Sequence, residues 1–473
     1  MTEAKTSNRH NSDHVDSNGI DFHHDRKSLV DQQNSPTRVA LICPDLYHKL
    51  QKRSAKIRLS EFEGLARAIN LEIIFSEIVK VRDVRPATYI GGGYVNNLAE
   101  QVKQQKIELL LIDAGLSPVQ QRNLEEKIGA KVLDRTALIL EIFGERAATR
   151  EGVLQVELAH LNYQKGRLVR SWTHLERQRG GGGFTGGPGE TQIESDRRQI
   201  QERITKLEKK LAKVAKTRSL HRQPRDAVPY PIVALVGYTN AGKSSIFNAI
   251  TKADVKAKDM LFATLDTTVR RASLPHGRDI ILSDTVGFIA DLPTDLIAAF
   301  RATLEEVIQA DIILHVRDIS SPDHIAQGQD VMSVLSDLGI DANETPIIEV
   351  WNKIDIVQKK QVDKEAQDDE NPVGLFDNIN TIGQVQDYVM VSALSGQGLD
   401  EMLAKIEMVL ANDSKIFELL ISFENGEDIA WLYNHSEVMK REETQTGTNL
   451  TIRVQPRFLS QIRTRFGRRL KKI

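Results

Sequence analysis

The chain of 473 residues contains one cysteine, Cys43, so no intramolecular disulfide can form and the composition fits a reducing compartment. Cys43 ends an apolar run and reads as buried filler. Aromatics are sparse at 5%, with only three tryptophans. No apolar stretch approaches the roughly 20 residues of a membrane-crossing helix, and no leader-peptide pattern is seen, which argues against membrane insertion and secretion. A charge excess of one sign is missing too: 63 Lys and Arg stand against 65 Asp and Glu. Any affinity for nucleic acid must therefore be local. Four of the twelve histidines (His10, His14, His23, His24) fall in the polar first 36 residues, without the cysteines or spacing of a metal site. That segment, 1–36, reads as a disordered tail. What remains, 40% hydrophobic and 27% charged, is globular and too long for one core.

The rest of the chain is organised around PIVALVGYTNAGKSS, from Pro231 to Ser245. A β-branched run is followed by Gly237, Tyr238, Thr239, Asn240, Ala241, Gly242, Lys243, Ser244 and Ser245, then by apolar residues at helical spacing. This is strand, glycine turn and helix start, the context of a phosphate-binding loop. Backbone amides and the helix N-terminus would cradle an anion. Lys243 would reach the outer phosphates, and the Ser244 hydroxyl would hold Mg²⁺.

Three further motifs each follow a strand-like run. Asp284, Thr285, Val286 and Gly287 end Ile280–Leu282, with Asp284 placed to hold Mg²⁺ through water and the Gly287 amide to meet the γ-phosphate. Asn352, Lys353, Ile354 and Asp355 follow Pro346–Val350. A carboxylate at Asp355 would accept from guanine N1–H and the 2-amino group, which adenine lacks. Ser392, Ala393 and Leu394 would complete the base pocket with a backbone amide for guanine O6. The set points to GTP and disfavours a small-molecule kinase. Phe262, Ala263, Thr264, Leu265 and Asp266 form a switch-like stretch in which Thr264 would close on Mg²⁺. Lys243, Thr264 and Gly287 are the candidate catalytic groups. Phe288 occupies the position where many related GTPases carry a water-orienting glutamine, so slow intrinsic hydrolysis is expected. Asn240 would either offer its side-chain oxygen to K⁺ or serve as a turn residue.

Around this centre the fold expected is α/β and multidomain. Residues 37–163 alternate short aliphatic strands and helices, an α/β domain with a mostly parallel sheet, ending in a long helix over Leu138–Tyr163 with Gly152 as its weak point. Tyr89-Ile-Gly91-Gly92-Gly93 lacks the lysine and hydroxyl of a phosphate loop and is read as a turn. Residues 164–226 hold a basic stretch, Lys165–Arg179, seven glycines in Gly180–Gly189, and a heptad (Ile193, Ile200, Ile204, Leu207, Leu211, Val214) suited to one partner helix. The glycine segment reads either as a linker or as a cationic loop for a phosphate backbone. Pro224 and Pro229 are expected to end that helix and open the GTPase domain, 227–412, which carries a polar insertion at 358–386. Residues 413–473 form a small α+β domain whose end, Arg457–Lys472, has seven basic residues and no acid.

Phe262–Asp266, Asp284–Phe288, GERAATREGVLQVELAHLNY (Gly144–Tyr163) and RQRGGGGFTGGPGETQIESDRR (Arg177–Arg198) resemble the HflX family of translational GTPases. The resemblance runs from about Val39 to the C-terminus. It implies a cytoplasmic, monomeric GTPase, slow alone and stimulated by ribosomal subunits. Its partners would be the large ribosomal subunit and its RNA, not DNA, with two long helices reaching towards the peptidyl transferase centre. The implied role is splitting or rescue of stalled ribosomes under stress; the alternative is a GTP-switched adaptor in subunit assembly.

Overall fold

The computed structural model describes residues 36–47, 53–178, 188–226, 230–252, 261–262, 267–290, 304, 306–341, 345–365, 388–413, 415–454 and 456–472. The expected tail (but for residue 36), Gly180–Gly187, Ala263–Asp266 and most of the polar insertion lie outside them. Among the described residues no helix is long and apolar enough to cross a membrane.

Strands β1 (Arg38–Leu46), β2 (Glu72–Val81), β3 (Leu109–Ile112) and β4 (Lys131–Asp134) form a wholly parallel sheet in the order β2-β1-β3-β4. The unbroken apolar run of β1 is what a parallel strand covered on both faces requires, and Val39 to Cys43 are inaccessible. The crossovers are α1 (Ala55–Ala68), α2 (Gly92–Gln104) and α3 (Pro118–Ile128), and α4 (Arg135–Arg146) follows β4. Gly91 is the N-cap of α2 and Tyr89 turns at φ 64°, so the glycine run starts a helix after a turn. A capping box between Ser117 and Gln120 opens α3. Cys43 is buried, and burial with Asp113 alongside pushes its thiol up to about 12, which leaves it inert.

The expected single helix over Leu138–Tyr163 is two. Ala147 leaves helical geometry at φ −63°, ψ 109°, and the Thr149 hydroxyl then accepts from Gly152 N–H at 3.0 Å. That bond caps α5 (Arg150–Gln178), so Gly152 lies in a first turn and the break comes before it. The basic stretch up to Gln178 is likewise helix, not loop. α6 (Pro188–Asp226) runs through Pro224, correcting the expected stop there. Its Ile204 and Leu207 are buried with Leu161, against Leu154, Leu158 and Ile200, so the heptad stripe finds its partner in α5.

The second sheet, ordered β10-β9-β8-β5-β7-β6, joins β5 (Ile232–Gly237), β6 (Thr268–Ser273), β7 (Asp279–Asp284), β8 (Ile312–Asp318), β9 (Ile347–Asn352) and β10 (Tyr388–Met390). All neighbours are parallel except the β6–β7 hairpin, whose turn holds Gly277 at φ 83°. Around it lie α7 (Lys243–Thr251), α8 (His324–Asp337), α9 (Ile354–Glu365) and α10 (Leu399–Asp413). The first residues of the expected insertion therefore belong to α9. One apolar cluster runs through both sheets' domains, joining Leu138, Phe143 and Val156 to Val236, Phe262 and Phe288.

The third sheet is antiparallel, β12-β13-β11-β14, built from β11 (Lys415–Ile421), β12 (Glu437–Thr444), β13 (Gly447–Val454) and β14 (Lys471–Lys472). With α11 (Gly426–His435) after β11 and α12 (Pro456–Phe466) after β13 it follows the ferredoxin-like βαββαβ order. Lys471 and Lys472 are exposed and pair with Glu418 and Phe417 as an edge strand.

Candidate functional site

The strand order places β5 centrally, with the chain leaving it to opposite sides, and ligands of open α/β sheets sit at the carboxyl ends beside such a point. Gly237 ends β5 and α7 begins at Lys243. Gly242 is held at φ 93°, and a Cβ there would come within 2.1 Å of Asn352 Nδ2, so only glycine fits. Asn240 turns at φ 60° and is exposed, the left-handed geometry asparagine tolerates best among non-glycine residues. That geometry fits the turn reading.

Lys243 is buried, and its ammonium donates to the carbonyls of Tyr238 at 2.8 Å and Gly237 at 3.1 Å. Burial pushes its pKa down to about 8, against the pull of Asp284. A charge so poorly solvated is one a triphosphate would stabilise. Among the described residues the buried Thr239 hydroxyl has no hydrogen-bond partner, and it is a donor suited to a phosphate oxygen. Ser244, on the first turn of α7, donates to Asp284 Oδ2 at 2.6 Å, and Asp284 is inaccessible at the end of β7. A hydroxyl and a carboxylate side by side beneath a phosphate site fit Mg²⁺, which would neutralise phosphate charge. Among the described residues no cluster of three His, Cys, Asp or Glu could hold a metal alone.

The Asp284–Gly287 loop is stitched to the phosphate loop. Thr239 N–H donates to Phe288 O at 2.7 Å, and Phe288 N–H to Gly237 O at 3.1 Å. A Cβ on Gly287 would lie 2.9 Å from Thr239 Cα and 3.1 Å from Lys243 Nζ, so this glycine permits the approach. Thr285 donates to Leu235 O at 2.6 Å and Val286 is core, so both side chains serve the scaffold. Phe288 is buried in the same core.

On the base side, Asp355 Oδ1 accepts from Ser392 Oγ at 2.7 Å, which aligns the carboxylate. Asn352 Nδ2 donates to Ala241 O at 2.9 Å, while its Oδ1 accepts from Ala393 N–H at 3.1 Å. Asn352 thus ties the phosphate loop to the base loop, and the Ala393 amide is taken. Lys353 Nζ pairs with Asp318 at 2.8 Å, Ile354 is buried beside Trp351, and Leu394 is 87% exposed.

The fold therefore gathers residues from Gly237–Ser245, Asp284–Gly287, Asn352–Asp355 and Ser392–Leu394 at one end of the second sheet. Phe262 turns back to stack edge-on against Phe143, centroids 4.7 Å apart, and Thr264 with its neighbours lies outside the described residues. Two residues of the basic stretch bond within the chain. Lys165 donates to Gln201 at 2.5 Å, and Arg167 pairs with Asp134 at 3.2 Å. Glu61 and Arg53, which grip Tyr238 from the first domain, escaped sequence reasoning because no spacing announces a contact 177 residues away.

Four family models match in order: a GTP-binding GTPase N-terminal region (56–144), a GTP-binding GTPase middle region (146–225), a 50S ribosome-binding GTPase (232–353) and an HflX C-terminal domain (379–472). Among curated relatives, the GTPase HflX of Magnetococcus marinus is 43% identical over 92% of this chain and 96% of its own length. That of Escherichia coli K12 is 46% identical over 67% of this chain and 74% of its own. A crystal structure of a GTP-binding protein from Sulfolobus solfataricus with GDP aligns at 24% identity and TM-score 0.40, covering 79% of this chain and 98% of that one. The chain belongs to the HflX family of GTPases, and binding and hydrolysis of GTP come with that membership.

Proposed function

We propose that the protein binds the large ribosomal subunit in its GTP state, splits or rescues stalled ribosomes under stress in the cytoplasm, and leaves on hydrolysis. The observation that carries this reading is the paired hairpin of α5 and α6, 29 and 39 residues long. At about 1.5 Å per residue these helices run roughly 44 and 58 Å, longer than a GTPase core needs for itself. Arg170 and Arg177 lie towards the hairpin's far end, and the matched 50S ribosome-binding GTPase model supports the same partner. Sedimentation with ribosomes in GTP, GDP and a non-hydrolysable analogue tests it. Co-sedimentation with 50S subunits and loss of 70S particles is expected only with the triphosphates. Binding to subunit precursors without loss of 70S particles would favour the assembly adaptor instead.

Charge should carry much of this affinity. Neutralising Arg177 and Arg179, or Arg468, Arg469, Lys471 and Lys472, is expected to weaken subunit binding and leave nucleotide affinity intact. Each lost phosphate contact lowers the slope of log K against log salt by roughly 0.7 to 0.9. Identical salt titrations for wild type and both variants would make these residues ordinary surface.

Ser244 and, through water, Asp284 would hold Mg²⁺, with Thr264 as the switch residue that would join them, and the ion would neutralise phosphate charge. Because Phe288 cannot orient water, subunits are expected to stimulate turnover strongly by ordering the switches. K⁺ held by Asn240 would add a smaller factor. Turnover in matched KCl and NaCl, with and without subunits, for wild type and Asn240→Ala separates the two effects. Equal rates in both salts would leave Asn240 to its backbone role.

A further inference from the structure

Tyr238 belongs to the phosphate loop, yet its side chain points out of the nucleotide site into the first domain. Its phenol is saturated. It accepts from Arg53 Nη1 at 2.7 Å and from Ala290 N–H at 2.8 Å, and it donates to Glu61 Oε2 at 2.6 Å. Arg53 also pairs with Glu61 at 3.1 Å, and reaches back into the second domain to Asp323 at 2.8 Å and Asp330 at 2.6 Å. Arg135 binds Glu61 and Asp113, and donates to Ala290 O at 3.4 Å. The Ala290 carbonyl is therefore held by Arg135 of the first domain, and its N–H by Tyr238, whose phenol that domain grips.

The consequence falls on Gly287. Just after it, Phe288 is bonded to Gly237 and Thr239, and Ala290 is fixed by the cluster. With both anchored, Gly287 stays so near the Lys243 ammonium that a Cβ on it would lie 3.1 Å from Nζ. A γ-phosphate needs a place between Lys243 and the Gly287 amide, and GDP does not reach there. GTP must therefore displace Gly287 against these bonds, whereas GDP need not.

We propose that Tyr238, Glu61 and Arg53 form a latch that biases the site towards GDP over GTP by holding Gly287 against Lys243. Tyr238 and Glu61 are positioning residues in this scheme; neither touches the reacting atoms. The bias rests on GTP occupying the site between Lys243 and Gly287. By linkage, whatever GTP spends in opening the latch loosens the contact between the domains, so nucleotide state is felt at α1.

The test measures dissociation constants for GDP and a non-hydrolysable GTP analogue with full-length wild type, Tyr238→Phe, Glu61→Gln and the double variant. The ratio Kd(GDP)/Kd(analogue) is expected to rise about 5-fold or more in each single variant, the lower end of ordinary coupling. The double variant should exceed the larger single effect little, because both remove one contact. A ratio unchanged, both nucleotides weakened equally, or fully additive effects would overturn the latch. Should Tyr238→Phe fail to fold, Asp330→Asn at the rim of the cluster and amide exchange on wild type keep the question open to refutation. Peptides spanning 53–62 should exchange faster with the analogue than with GDP, and equal exchange would count against the proposal. Wild type that binds neither nucleotide would instead sink the site assignment itself.

Discussion

Lys243→Met is expected to weaken GTP binding by roughly two to three orders of magnitude while leaving the nucleotide-free protein as stable as wild type or more so. Truncating one partner of a buried, hydrogen-bonded charge pair costs about 2 to 5 kcal/mol, and each 1.4 kcal/mol is tenfold in affinity. Without nucleotide the balance reverses. The ammonium is buried and its pKa has fallen from 10.5 to about 8. At 1.36 kcal/mol per pKa unit that costs the fold about 3 kcal/mol at neutral pH. Its two carbonyl partners keep other donors: Phe288 N–H lies 3.1 Å from Gly237 O, and Ala241 N–H 3.3 Å from Tyr238 O. Methionine nearly fills the volume and carries no charge to desolvate.

The sign with pH follows. The native state binds this proton less tightly than the unfolded chain, so the penalty is full below about pH 8 and fades as pH rises to 10.5. Wild type should gain stability through that window relative to Lys243→Met. Melting curves of both proteins without nucleotide, from pH 7 to 10, measure the difference. A variant that melts well below wild type throughout would show that the carbonyl contacts outweigh desolvation.

Much of this site was legible because phosphate and guanine recognition demand particular residues after particular strands. The glycine at 242 and the lysine at 243 can be read from spacing, since a loop that wraps an anion leaves no room for a Cβ at the helix start. Other features depend on contacts that local pattern cannot encode. Asn352 looks like part of base reading, yet its amide joins Ala241 to Ala393 across the sheet. β4 is only four residues long and α3 is polar enough to pass for a loop, so neither carries a strong periodic signal. The break between α4 and α5 hid because Gly152 looked the weaker residue, whereas the cap at Thr149 decides where the helix restarts. The basic stretch Lys165–Arg179 gave no sign that Arg167 pairs inward, because sequence cannot show that Asp134, an N-cap 33 residues earlier, stands beneath it.

Asp355→Asn should weaken GTP and GDP alike by about 10² to 10⁴, and should transfer affinity to xanthine nucleotides. The Ser392 hydroxyl, 2.7 Å from Asp355 Oδ1, fixes the carboxylate before any base arrives. Guanine presents two donors, N1–H and the 2-amino group, and a carboxylate accepts both. An amide accepts one and turns its own N–H towards the 2-amino group, leaving two donors face to face. Leaving buried polar groups unpaired in this way produces discrimination of that order. Xanthine carries an oxygen at position 2, which accepts from the new amide while N1–H still meets its oxygen. Losing GTP and gaining XTP therefore have one cause, and unfolding cannot imitate the second. Ser392→Ala, which removes only the aligning bond, should cost about 1 kcal/mol and leave base preference unchanged. Binding of GDP, XDP and ADP to the three proteins decides the matter. Intact GDP affinity in Asp355→Asn, or no gain for XDP, would remove Asp355 from the base pocket.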